Sequence, residues 1–449
     1  MTMKTIKRTL KEIMRYPSAV TGMVMIFILV IIAAYAMISI PYSQAIVLWR
    51  GGEDVWYQNP KLVPPAWFNW FTKEKKPESF VINSSTGDYQ RTVDTKSDGS
   101  SVITMTYTFD YQYDDFPQDM LLYIESTFAE KKPFVSITWV TPDERQIRVG
   151  DLRLDTSSTY RFSQDEKLKL KLKGLDPQVG LFLSKDDNIT APLKGKYQVI
   201  LSAVAWEPKS TVNAEFVMHG QVYGIAGTDI YRRDLRVALL WGVPVALAFG
   251  LLAALGTSVL TMVFAAIGAW YGGWVDGLIQ RITEVNLVLP FLSILVMVGT
   301  FYSRSIWVIL GVSVLLSIFT GQIKSLRAAF MQVKESTYIE AAKAYGASNR
   351  RLILMYLIPR MIPTLIPGLV SSVPTFVFLE ASLAVLGLGD PTLPTWGKLI
   401  NDAFVNGALY KGQYYWILEP AILLMFTGLA FALLGFALDR IFNPRLREA

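Results

Sequence analysis

Two short constellations hold most of the residues that could do work in this chain. The first is Glu340-Ala341-Ala342-Lys343-Ala344-Tyr345-Gly346, continued by Ala347-Ser348-Asn349 and closing at Tyr356-Leu357-Ile358-Pro359. Its paired alanines allow close helix approach, Gly346 permits a turn, and Glu340 can accept hydrogen bonds or pair with a basic group on a partner. The second is Glu380, a carboxylate inside an apolar run. Such a group is costly in a membrane without a partner or water, so Glu380 is a candidate for a polar path or a subunit interface, against a structural cap near a helix end. Other chemistry is largely excluded. Cysteine is absent, which removes disulfides and thiolate metal sites, and the single histidine, His219, has no ligand set around it and reads as a packing or surface residue. No G-x-x-x-x-G-K-[ST] sequence occurs, so ATP and Mg, if used, belong to a partner and no cofactor or metal is assigned to this chain.

The elements that must position these residues are mostly apolar. With 52% hydrophobic and 18% charged residues in 449, membrane and soluble parts must alternate. Six runs, 19–40, 245–269, 285–302, 305–323, 362–386 and 416–438, are read as membrane spans. Lys4, Lys7, Arg8, Lys11 and Arg15 precede the first, which places the N-terminus in the cytoplasm; the run is too long for a signal peptide core and no A-x-A-like site follows it. Arg440, Arg445 and Arg447 follow the last run, and Lys324, Arg327, Lys334, Lys343, Arg350, Arg351 and Arg360 mark 324–361 as cytoplasmic. That segment reads as helical over 336–355 with a break at Gly346, a docking element between spans four and five. The net charge of +6 is therefore a matter of topology, not of nucleic acid. Gly268 and Gly272 sit at a span end and read as a turn.

Between the first and second runs the texture changes. Ile103, Met105, Tyr107 and Phe109 alternate with Val102, Thr104, Thr106 and Thr108, as do Val135, Ile137 and Trp139 with their neighbours, and 197–205 reads as a buried strand. Leu168, Leu170 and Leu172 between Lys167, Lys169, Lys171 and Lys173 read as one more strand with a wet lysine face. Several short strands with turn signals predict a β-sandwich. Sequons at Asn83 and Asn188 carry little weight.

The Glu340 to Pro359 segment resembles the EAA loop of ABC importer permeases, in which E-A-A, three residues and a glycine lead to I-x-L-P; Tyr356 and Ile358 stand where Ile and Leu are usual. Four further matches resemble the C-type permease subunit of the oligopeptide and dipeptide branch. These are Gly227-Thr228-Asp229 with Arg233-Asp234, where Arg232 replaces a usual Gly; Gly272-Gly273-Trp274-Val275-Asp276; Glu380-Ala381-Ser382-Leu383 with Leu386-Gly387-Leu388-Gly389 and Thr395-Trp396-Gly397; and Pro444-Arg445-Leu446-Arg447. Pro64-Pro65-Ala66-Trp67 resembles a segment that normally lies just before G-T-D, so the residues between interrupt an outer loop.

The resemblance implies an α-helical polytopic membrane protein, a type I ABC importer transmembrane domain of six helices with an inserted β-rich, sandwich-like extracytoplasmic domain. The expected division is a cytoplasmic segment 1–18, a first span 19–40, the insert 41–226, a permease core 227–439 with its coupling loop 324–361, and a cytoplasmic tail 440–449. The implied partners are a second homologous permease, two P-loop ATPases docked on Glu340, Ala341, Ala342, Lys343, Gly346, Ala347 and Pro359, an extracytoplasmic substrate-binding protein, and the lipid bilayer. Peptides lead the possible cargoes, ahead of nickel and oligosaccharides. A secondary transporter, or an anchored surface binding protein that works through the β-rich insert, is the alternative, and neither accounts for the EAA-like segment.

Overall fold

The computed structural model describes residues 14–97, 99–184 and 191–442. Lys4, Lys7, Arg8 and Lys11, the sequon at Asn188 and the Pro444 to Arg447 motif lie outside the described residues. Contacts divide the chain into two units, 51–236 and the remainder. The remainder starts with α1 (Pro17–Ser39), which has Pro17 in its first turn, and α2 (Tyr42–Arg50). Gly22 lets α1 lie against the last helix of the unit, since a Cβ there would stand 2.8 Å from the Ala430 carbonyl oxygen.

Among its described residues, the unit 51–236 is built on nine strands: β1 (Phe80–Ile82), β2 (Asp88–Thr95), β3 (Ser101–Tyr111), β4 (Asp119–Thr127), β5 (Phe134–Val140), β6 (Gln146–Arg153), β7 (Ser157–Arg161), β8 (Gly195–Ala205) and β9 (Thr211–His219). They form two antiparallel sheets, β1-β9-β4-β7 and β2-β3-β8-β5-β6, which share one core. The alternation in β3 buries Ile103, Met105, Tyr107 and Phe109, opposite Ala203, Leu201, Val199 and Tyr197 of β8. Phe109 stacks on Tyr197 and on Phe216 of the other sheet, each with ring centroids 5.6 Å apart. Two buried aromatic tips are satisfied: the Tyr107 hydroxyl donates to the Ala214 carbonyl at 2.7 Å and Trp139 Nε1 to that of Leu181 at 3.2 Å.

The lysine-alternating stretch is not a strand. It forms α3 (Glu166–Lys171), capped by the Asp165 side chain, which accepts from the Leu168 N–H. Leu, Lys and Glu favour helix over strand, and a local N-cap outweighed an apparent period of two. Residues two apart lie on opposite sides of a helix, so Leu168 is buried while Leu170 is exposed.

The end of this unit explains the G-T-D segment. A Cβ on Gly227 (φ +71°) would lie 2.4 Å from the Val63 carbonyl oxygen, and Asp229 is fully buried, taking N–H groups from Tyr231 and Arg233 and the Arg233 Nε at 2.6 Å. Arg232 has φ +64°, which accounts for a glycine being usual there. Its side chain offsets the strain by donating to the Asn59 carbonyl at 2.8 Å and to His219 Nδ1 at 3.3 Å. His219 Nε2 lies 3.0 Å from the Tyr57 carbonyl, so the neutral ring carries its proton on Nε2.

Burial, reinforced by the Arg232 charge, pushes the His219 pKa down from 6.5 to about 3. The folded state therefore prefers the neutral ring, so stability present above the unfolded pKa is lost as pH falls from that value. At pH 5 the loss is about 2 kcal/mol relative to pH 7.5. Thermal unfolding of the full chain, followed by tryptophan fluorescence, is expected to show a lower midpoint for the 51–236 transition at pH 5, and His219→Gln is expected to flatten that dependence. An unchanged pH slope in the variant counts against the buried neutral ring.

The second unit continues with α4 (Leu235–Tyr271), α5 (Gly273–Val288), α6 (Phe291–Phe301), α7 (Ile306–Ile318), α8 (Gly321–Lys334), α9 (Thr337–Ala344), α10 (Ile358–Leu383), α11 (Trp396–Val405) and α12 (Tyr415–Phe442). Among the described residues, Pro17–Ser39, Leu235–Tyr271, Asn349–Leu388 and Tyr415–Phe442 are long and apolar enough to cross a membrane, and the count reaches six if each of two bent pairs is one span. The continuous spans expected over 285–302 and 305–323 are in fact broken, α5 to α6 by 79° and α7 to α8 by 51°. Pro290 has no N–H to extend α5 and holds Leu289 extended, while Thr320 is extended before α8. Asn286 joins the two breaks: its amide donates to the Leu316 and Phe319 carbonyls, both at 2.8 Å, satisfying groups that a bent helix leaves open.

Candidate functional site

The expected helix over 336–355 with a break at Gly346 is observed as α9 and a second helical piece that starts at Asn349 and runs on to Leu388. Gly346 (φ +77°) ends α9 in a Schellman turn, with its own N–H bonded to the Lys343 carbonyl at 2.9 Å and the Ala347 N–H to that of Ala342 at 3.1 Å. Ser348 then caps the following turn by accepting from the Arg351 N–H. Pro359 removes an N–H from the ladder, and the preceding turns, Leu352–Leu357, widen to π geometry.

This turn sits on a firm base. Ile339, Leu352 and Leu357 are buried with Phe330 of α8 and with Met262, Ala266 and Trp270 at the end of α4. Lys334 donates to the Ala269 and Trp270 carbonyls at 3.0 and 2.9 Å, neutralising the carbonyl end of α4. Lys343 Nζ stands 4.9 Å over the Trp270 ring. Arg327 of α8 makes a two-pronged ion pair with Asp276 of α5, one prong at 2.6 Å. Gly268 makes room for it, because a Cβ there would lie 3.2 Å from an Asp276 carboxylate oxygen, and Gly272 (φ +63°) forms the turn.

Of the sequence-derived residues, Ala342 faces the base and Ala347 is half-buried. Glu340, Ala341, Lys343, Gly346 and Pro359 are exposed, as are Tyr338, Tyr345, Leu354 and Met355 around them. Lys334, Trp270, Asp276 and Arg327 were missed as a set. The available signal was the acidic Asp276 in Gly272-Gly273-Trp274-Val275-Asp276, set against the basic stretch that carries Arg327 and Lys334.

Glu380 is not part of this cluster. It lies 21 residues beyond Pro359 in the same helical run, about 30 Å away at 1.5 Å per residue. It is buried near the start of α11, where the Thr395 side chain accepts from the Lys398 N–H and caps the helix. Beside it, the α10 backbone meets α11 closely: a Cβ on Gly397 would lie 2.6 Å from Ala381 Cα. Trp396 fills the notch left by Gly242 and donates from Nε1 to the Leu239 carbonyl at 3.0 Å. The Glu380-Ala381 and Thr395-Trp396-Gly397 motifs are thus each other's packing partners.

Comparison with known proteins decides the family. The profile described as "Binding-protein-dependent transport system inner membrane component" matches residues 246–448. A putative peptide transport system permease protein of Brucella suis is 30% identical over 261 residues, 56% of this chain and 85% of the relative. The chain belongs to the family of binding-protein-dependent transport permeases. Dipeptide transport system permease proteins DppC of Bacillus subtilis and Lactococcus lactis are 28% and 29% identical, over 49% and 50% of this chain and 69% and 64% of their own lengths. As a permease of this family the chain is a multi-pass membrane protein and a component of a transport system, not itself an enzyme. The family match takes in the Glu340 to Pro359 surface, Glu380 and Gly397, and leaves out the sandwich unit.

Proposed function

We propose that this permease is a subunit of an ATP-driven peptide importer, and that its Glu340 to Pro359 surface docks a P-loop ATPase. The carrying observation is the uncovered face of α9 and the turn after it, held on a buried base that reaches the ends of α4, α5 and α8. Relatives named as peptide and dipeptide permeases support the cargo. In this reading each bent pair makes one crossing, with α8 past its bend on the cytoplasmic side, so six crossings place both termini and residues 324–361 in the cytoplasm and the sandwich outside. A second, homologous permease completes the path, two ATPases bind below and a binding protein delivers peptide from outside.

ATPase closure would displace α9, and the stiff contacts to Trp270 and through Arg327–Asp276 would carry the motion into the bundle. The continuous helix from Asn349 would carry it to Glu380, whose burial beside the close Ala381–Gly397 contact supports a role in holding α10 to α11 beside the path.

The test is recovery of partners. Gentle extraction of the intact chain from cells expressing the whole transport system is expected to bring down P-loop ATPase activity and a second permease. Glu340→Lys, which puts a like charge against a basic partner group, is expected to lower recovered ATPase by about tenfold while the second permease still follows. If the intact chain comes down without either, the importer reading fails.

A further inference from the structure

One surface of the sandwich unit has no part in that reading. Residues Ala66–Trp70 form a single 3-10 turn in which Trp67 and Phe68 are half-buried while Trp70 and the following Phe71 are 81% and 80% exposed. Beside it stands Ile225, 70% exposed. The two tips are tied together: Ala66 N–H donates to the Gly224 carbonyl at 2.9 Å and Trp67 Nε1 to that of Ile225 at 2.8 Å. The turn is also fixed from below. Buried Asn69 exchanges hydrogen bonds with the Lys76 backbone at 2.9 and 3.0 Å, and the Lys75 N–H donates to Asp114 at 2.8 Å.

Three large apolar side chains are therefore held out from the core, although burial of each would be favourable. A scattered exposed apolar residue needs no explanation; an organised tip of Trp, Phe and Ile does. The chain just after the tip is basic: Lys73, Lys75 and Lys76, with Glu74 the only acid among them. Indole and phenyl rings beside lysines are the composition of the bilayer interface, where rings lie at headgroup depth and ammonium groups meet phosphates. Chain length keeps the tip near a membrane, since Ile225 precedes α4 by ten residues, at most about 35 Å of extended chain.

We propose that the Trp70-Phe71-Ile225 tip is a lipid-binding site that inserts into the headgroup region of the bilayer and anchors the sandwich unit to the membrane surface. The ligand class is the phospholipid interface, with the lysines favouring anionic headgroups. The proposal does not depend on the cargo or on the ATPase surface.

Because the chain has no cysteine, Phe71→Cys supplies a single thiol for an environment-sensitive fluorophore, and Leu170→Cys, on exposed α3 of the same unit, supplies the control. The labelled full-length chain is reconstituted into phosphatidylcholine–phosphatidylglycerol vesicles containing headgroup-region nitroxide lipid. Quenching at position 71 is expected to exceed that at 170 by at least about twofold, and to fall to the control level when Trp70 and Ile225 are both changed to Ser, exposed positions whose substitution leaves the core intact. Equal quenching at 71 and 170 overturns the proposal. So does a label that is shielded only after a soluble binding protein is added, which would make the tip a protein-docking surface.

Discussion

Gly397→Leu is expected to destabilise the helical unit by about 3 kcal/mol or more and to leave little of the chain monodisperse after extraction. The reason is geometric. A Cβ at Gly397 would stand 2.6 Å from Ala381 Cα, 2.8 Å from its carbonyl oxygen and 2.7 Å from Ala384 Cβ, so the clash is largely with backbone and no rotamer change relieves it. Moving α11 away would pull Trp396 from its notch against Gly242 and break its bond to the Leu239 carbonyl. Gly311→Ala is the matched control: it lies within α7 with nothing inside 4 Å of the new Cβ, and is expected to gain up to about 1 kcal/mol of helix propensity. Thermal aggregation in detergent measures both. Equal midpoints for Gly397→Leu and the parent chain would mean that α10 and α11 do not pack in this way.

The same contact shows why parts of this molecule were legible in sequence and others were not. Period and length are local signals, so β3 could be read from Ile103 to Phe109, and α1, α4, α10 and α12 from their apolar runs. The break at Gly346 was legible because only glycine takes a left-handed end to a helix at little cost. The bends in the α5–α6 and α7–α8 pairs were harder. Pro290 gave one signal, yet the Phe319–Thr320 break has no proline or glycine of its own before Gly321 and is completed by Asn286, 33 residues before Phe319. Leu168 to Lys173 failed for the opposite reason: a stretch this short satisfies a period of two by chance, and Asp165 as a cap decided the matter.

Of the site itself, the Glu340 to Pro359 segment was visible as a string, but its base was not. Asp276 with Arg327, and Lys334 with the last carbonyls of α4, are long-range pairs that no spacing rule encodes. Arg232 was visible only as a departure from glycine. Its positive φ and its bonds to Asn59 and His219 give the departure a physical meaning.

The second large effect is expected at Gly346, and it separates backbone from side-chain causes on the proposed docking surface. Nothing lies within 4 Å of a Cβ added there, so a substitution acts through φ alone. Asparagine tolerates the left-handed region, alanine resists it and a β-branched residue resists it most. Peptide-stimulated ATPase activity of the assembled system is therefore expected to fall in the order Gly, Asn, Ala, Val, with Val lowering it by about tenfold or more, since 1–2 kcal/mol of local strain can unseat the turn that presents Glu340 and Tyr345. The bundle should stay folded in all four, because Ile339 and Leu352 are held on either side of the turn by Phe330 and Trp270 rather than by Gly346 itself. A Glu340→Ala variant, by contrast, removes the proposed partner contact without strain and is expected to weaken ATPase recovery without following that order. If all four residues at 346 support equal activity, the turn does not transmit force and coupling must enter the bundle elsewhere. If activity is lost together with the folded bundle, the turn is a folding element and the docking role has no support from this position.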